Sequence, residues 1–262
     1  REPRDPAVEA ERIASREIEQ WIDEGPLRSE AEAAADRAGR DTTGTARRRD
    51  HTARLDPEVG AEIHAAVGDR RAERLLDRLG QAADALDRER FEEARRIATP
   101  LVKELPGIVA VHEVAGLAEY RLGRWTQALT HLETARSLRE DMSLLPVLAD
   151  ANRALRRWAE VDAIWDHIRA ASPPHDVMAE ARIVVAGSLA DRGQLAGAIS
   201  LLEAASTPPK RVRDHHLRTW YALADLHDRA GDPIRAAQWF RLVAQHDRDF
   251  VDVTARLRAL GR

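Results

Sequence analysis

The 262-residue chain contains no cysteine, which excludes a disulfide framework, thiolate-bound metals and a thiol nucleophile. Aromatic residues are scarce, at 4%, so any core has to be built from Ala, Leu, Val and Ile. Lysine occurs only at Lys103 and Lys210, and asparagine only at Asn152. The abundance of arginine is therefore in part a GC-rich coding bias and not in itself a sign of phosphate binding. Formal net charge is −4, so the chain as a whole is not a nucleic-acid glove. No apolar run approaches the roughly 18 residues of a membrane span, and no secretory h-region is present. A cytoplasmic protein is expected; because the chain starts at Arg1 and not at Met, a preceding segment is expected to be missing.

Catalytic signatures are lacking too. There is no GxxxxGK[ST] or GxGxxG loop, no HExxH, no EF-hand loop and no GxSxG elbow. His215 and His216 form the only adjacent histidine pair, and neighbouring side chains diverge, so metal ligation would need distant partners. The sequence thus announces no catalytic residue, no metal and no cofactor, and the expectation is a protein that is not an enzyme.

What is present is a repeat. Ala82 and Ala94, Gly116 and Ala128, Ala149 and Val161, Ala186 and Ala198, and Ala224 and Ala236 are small-residue pairs with a constant offset of twelve. Their first members recur at intervals of 34, 33, 37 and 38 residues. Nine residues after each first member stand Phe91, Trp125, Trp158, Leu195 and Pro233, the expected openings of a second helix. Two antiparallel helices approach closely only where small side chains meet, and large residues further along (Leu101, Leu132, Trp165, Leu202, Phe240) are expected to fill the seam against the next pair. One such pair cannot bury its apolar face alone, so pairs stack and share a core.

In spacing and residue types these segments resemble the tetratricopeptide repeat (TPR). "VHEVAGLAEYRLGRWTQALTHLETARSL" carries the small residue, the turn Gly123, the aromatic and both alanine-type positions in register. "TWYALADLHDRAGDPIRAAQWFRLVAQ" matches with Trp220, Leu223, Ala224, Gly231, Ala236 and Phe240. The match departs at Val161, where Ala is usual, and at the loop proline, present as Pro106 and Pro173 only. Pentatricopeptide repeats, which read RNA, have a near-identical period; the mean spacing here fits TPR better. The segments "EARIVVAGSLADRGQLAGAISLLE" and "WIDEGPLRSEAEAA" resemble TPR proteins of high-GC actinobacteria, which suggests a bacterial source.

The resemblance implies an all-α, right-handed superhelical solenoid of about five TPR-like helix pairs with a C-terminal cap. The expected organisation is a helical extension at 1–39, a flexible Arg-rich linker at 40–55 and the array at 56–262. Its repeats fall at about 75–108, 109–141, 142–175, 179–212 and 217–249, with a cap at 250–260. Asp56 reads as an N-cap with Pro57 as the first helical residue, and that helix is expected to cover the exposed edge of the first repeat. In "FVDVTARLRAL" the apolar residues Val251, Val253, Leu257 and Leu260 alternate with Asp252, Arg256 and Arg258, which are expected outside. Upstream, Ile13, Ala14, Ile18, Trp21 and Ile22 form one stripe of a candidate helix that docks in cis or onto another protein.

The resemblance also implies that the first helix of each repeat lines a concave groove where a partner segment binds. Carried over position by position, the groove set is Glu113, Leu117, Tyr120 and Arg121; Asp150 and Arg153; Glu180 and Ile183; and Arg218, Tyr221, Asp225 and Asp228. The charges are mixed, and each Tyr offers apolar area and a hydroxyl at low entropic cost. The same set is also simply the polar face that any repeat array shows to water. The Lys and Asn of a carboxylate clamp are missing from these positions, so an acidic chaperone C-terminus is not the expected ligand. The function expected is a non-catalytic scaffold or adaptor binding another protein or peptide, with no membrane partner and with homo-oligomers possible. The competing class is nucleic-acid association through the Arg-rich stretch 37–54 and the basic loop 210–216. Without interleaved aromatics to stack bases, the bland reading of that stretch is a solvated linker.

Overall fold

The computed structural model describes residues 55–261. The N-terminal extension and the Arg-rich stretch 37–54 lie outside them. The described residues form two compact units, 55–173 and 174–261, and no strand occurs among them.

The unit 55–173 contains α1 (Pro57–Val67), α2 (Asp69–Asp87), α3 (Phe91–Glu104), α4 (Val109–Arg121) and α5 (Trp125–Leu138), then a 3-10 turn (Met142–Leu144), α6 (Leu145–Ala154) and α7 (Trp158–Ala171). The unit 174–261 contains α8 (His175–Asp191), α9 (Leu195–Glu203), α10 (Asp214–Arg229), α11 (Pro233–His246) and α12 (Val253–Leu260). Helices pair as α2–α3, α4–α5 and α6–α7 in the one and as α8–α9 and α10–α11 in the other. This is an all-α helical-repeat fold of five consecutive pairs.

Local chemistry explains the pairing. Every expected opening residue, Phe91, Trp125, Trp158, Leu195 and Pro233, is the first residue of a second helix. Both members of every small pair are buried, so the backbones of the two helices meet where side chains are shortest. Leu101, Leu132, Leu202 and Phe240 are fully buried in the seams. Trp165 departs from the expectation: it is only half-buried, with the Arg169 guanidinium 5.5 Å from its ring. Ile168, one turn further along α7, is the wholly buried residue there. The amphipathic indole suits this boundary position.

Between the helices of each pair the chain turns in one way. The residue seven after each first small residue has positive φ in all five repeats: Glu89 (58°), Gly123 (69°), Arg156 (56°), Gly193 (77°) and Gly231 (77°). The amide after it donates back to a carbonyl near the helix end in each case, as Arg124 N to Glu119 O at 2.9 Å and Arg157 N to Asn152 O at 2.9 Å. This is the Schellman closure, which favours glycine. Arg156 is exposed and holds a left-handed conformation that costs an L-residue roughly 1–2 kcal/mol, partly offset by the unfolded-state freedom of glycine. Arg156→Gly is therefore expected to raise the urea-unfolding midpoint, by about 0.5–1 kcal/mol of stability.

Candidate functional site

The twelve candidate residues occupy a narrow set of registers. Counted from the first small residue of each repeat, Glu180 and Arg218 stand six before it, and Glu113, Ile183 and Tyr221 three before. Leu117, Asp150 and Asp225 follow one after, and Tyr120, Arg153 and Asp228 four after, with Arg121 one further. On an α-helix these spacings share one face.

In the unit 55–173 the structure brings three of them together. The Tyr120 hydroxyl donates to Asp150 Oδ2 at 2.5 Å, and Arg153 Nη1 donates to Asp150 Oδ1 at 3.1 Å. Tyr120 is buried, with its ring edge-on to Trp125. Arg121 turns away from this group: its guanidinium lies 4.4 Å over the Phe91 ring and 3.7 Å from Glu89. Leu117 is half-buried on the face. Glu113, also half-buried, sits among Glu62, Arg139 and Asp141.

Burial pushes the Glu113 carboxyl above its ordinary range; Arg139 opposes the shift, while Asp141 and Glu62 add to it. A carboxyl whose folded pKa is raised binds its proton more tightly when folded, so this site loses stability as pH rises through that pKa and has none to lose below the unfolded value. Glu113→Gln is accordingly expected to melt higher than wild type at neutral pH, with the difference closing as pH falls to 4.5 in paired thermal scans.

In the unit 174–261 the face is a chain of ion pairs. Arg218 meets Glu180 at 2.9 Å and Asp214 at 2.7 Å, linking α8 to α10. Arg256 Nη2 donates to Asp225 Oδ1 at 2.8 Å and to Asp228 Oδ2 at 2.9 Å, and its guanidinium is 5.0 Å from the Phe240 ring. The buried Tyr221 hydroxyl donates to Asp252. Burial first, and then that hydrogen bond, push the Tyr221 phenol upward, so it stays protonated. Burial works against the charge of Arg256, but Asp225 outweighs it, and the net shift is upward. Ile183 packs against the core around Leu223.

Arg256 is thus not the outward residue that the cap pattern implies, whereas Asp252 is exposed as expected and still accepts from Tyr221. They turn to the polar face of α10, because Val253, Leu257 and Leu260 pack on the core of Trp220, Phe240 and Val243 and carry that side of α12 with them. No periodicity marks a polar residue as inward-facing when its partner lies about thirty positions away. Glu62, Arg139 and Asp141 escaped the sequence reading for the same reason.

The basic loop is modest. Lys210, Arg211 and Arg213 are exposed. Burial, assisted by His216, lowers the His215 pKa against the opposing pull of Asp176. Among the described residues, no three or more histidine or carboxylate side chains are grouped to hold a metal. No described helix is long and apolar enough to cross a membrane.

Neither a protein-family model nor a curated protein matches the chain. Solved structures do. A thermophilic TPR protein of Thermus thermophilus is 16% identical and superposes with a TM-score of 0.57, over 71% of this chain and 98% of the other. A tetratricopeptide repeat protein of Parabacteroides merdae is 15% identical, with a TM-score of 0.60 over 96% and 98%. NprR in complex with its cognate peptide NprX is 15% identical, with a TM-score of 0.52 over 81% and 72%. At these identities the likeness is one of fold: this chain is built like tetratricopeptide repeat proteins.

Proposed function

We propose that the chain is a non-catalytic interaction module whose first-helix face binds a segment of another protein. The observation that carries this reading is the placement of the face residues. Leu117 and Glu113 on α4 are half-buried, and the Asp150–Arg153 and Glu180–Arg218 pairs, with side chains 11–24% exposed, stand on the same face at corresponding registers of successive repeats. A ligand with an apolar anchor and charges of both signs suits such a surface. The peptide complex of NprR, a structure of the same fold, supports a peptide or protein as the kind of partner.

Photo-crosslinking tests it. A benzoylphenylalanine placed at Leu117 should capture a protein from a lysate of the native host, whereas one at Glu133, exposed on α5, should not. Equal capture at both positions, or none at Leu117, would overturn the reading. Nuclease-sensitive adducts that vanish between about 50 and 200 mM salt would transfer the function to nucleic acid.

A further inference from the structure

Among the described residues, helix α1 pairs with no second helix of its own, and its place is not the one its sequence suggests. Covering the first edge of the array would bury Arg78 and Gln81, since His112 and Ala115 at the same registers of the next repeat are buried. Arg78 and Gln81 instead remain partly exposed. Val59 and Ile63 of α1 belong to the cluster that contains Leu75, Leu76 and Leu79 of α2 with Val111 and Val114 of α4.

Leu76 and Leu79 hold the registers occupied elsewhere by Glu180, Arg218, Glu113 and Tyr221. The candidate binding face is therefore apolar in the first repeat, and Val59 and Ile63 of α1 share its core cluster. On the α4 side, Glu62 lies 3.7 Å from Arg139 and within electrostatic reach of Glu113.

The occupant itself has the form of a ligand. It is an eleven-residue helix with two branched aliphatic residues one turn apart, Ile63 fully buried, and a carboxylate beside them. Apolar anchors at i and i+4 are how a short amphipathic helix seats in a groove. A single residue, Gly68 with φ of 74°, ends α1 and begins α2. Beyond that joint, His64 links α1 to Asp69 and Glu73 of α2, whose acidic side chains are largely exposed.

We propose that α1 is a resident occupant of a helix-binding seat on α2 and α4. A partner's short helix carrying two branched aliphatic residues one turn apart and an adjoining carboxylate takes the seat when α1 swings out about Gly68. This inference rests on the reading of the first-helix face as the binding surface. A seat filled by its own tethered helix lowers the apparent affinity for a competitor in proportion to the unfilled fraction.

The test uses the full chain and a fluorescent peptide of residues 55–68. Ile63→Glu should bind the peptide at least about tenfold more tightly than wild type, and a peptide with Val59 and Ile63 both changed to Ala should not bind. A second variant guards against misfolding: a long Gly-Ser insertion after Gly68 touches no core residue and dilutes α1 around its seat. It should bind the peptide several-fold better than wild type with unchanged helicity. If both variants stay folded and bind no better than wild type, α1 is a fixed part of the fold and the proposal falls. Crosslinking at Leu117 separates the two claims: adducts without peptide binding would sink the resident-helix inference alone. Peptide binding without adducts would sink the partner reading and leave the seat standing.

Discussion

Arg256→Met should loosen the C-terminal helix and lower stability by about 2–3 kcal/mol, one of the two largest losses expected from a single change. Arg256 is the shared donor to Asp225 and Asp228, and Asp225 is buried. Removing one member of a buried ion pair costs about 3–5 kcal/mol, because the remaining charge stays desolvated. Here the Arg256 side chain is 25% exposed, so water recovers part of that cost. Methionine keeps an unbranched stem over Phe240, which isolates the charge from the packing. Arg256→Lys should lose less, since the cation persists but cannot fork to both acids. Urea midpoints, together with hydrogen exchange at the amides of α12, give the answer. A midpoint within about 0.5 kcal/mol of wild type would class this bridge with screened surface pairs.

Gly116→Val should cost about 3 kcal/mol or more, and Gly116→Ala less. A Cβ built on Gly116 would lie 2.7 Å from Leu132 Cγ and 3.2 Å from the Leu132 backbone nitrogen. The second distance matters more, because a side chain can rotate and the backbone of α5 has to move. Overpacking of this kind costs about 1–3 kcal/mol, whereas alanine in mid-helix returns up to roughly 1 kcal/mol over glycine. Valine gains little in propensity and adds two methyl groups to the collision. The other four repeats carry Ala82, Ala149, Ala186 and Ala224 at this register, all buried, so the demand for glycine belongs to repeat two alone. Gly116→Ala combined with Leu132→Val should recover part of the loss in the same urea titration; a double variant no better than the single would place the strain in the backbone.

Much of the fold was legible because it is written in short-range terms. The offset of twelve set the five helix pairs and the first residue of every second helix, since small residue, turn and opening residue lie within one hairpin. The Asp56 cap followed from local chemistry as well: its side chain accepts from the Glu58 amide at 2.9 Å. At Glu89 and Arg156 the turn forms without glycine, because the closing hydrogen bonds and the buried pair on either side outweigh the local strain.

The sequence by itself therefore determined the all-α class, the number of pairs and the face on which the candidate residues lie. Only the tertiary structure decided what those residues touch. Tyr120 finds Asp150, Arg218 finds Glu180, and Arg256 finds Asp225 across intervals of 30, 38 and 31 residues. Arg121 turns back to Phe91, and Val59 and Ile63 of α1 join one core cluster with Leu76, Leu79, Val111 and Val114. The reason is physical: helix periodicity depends on the few residues of one turn, whereas the partner of a buried charge is chosen by which helices the packed core has already brought together.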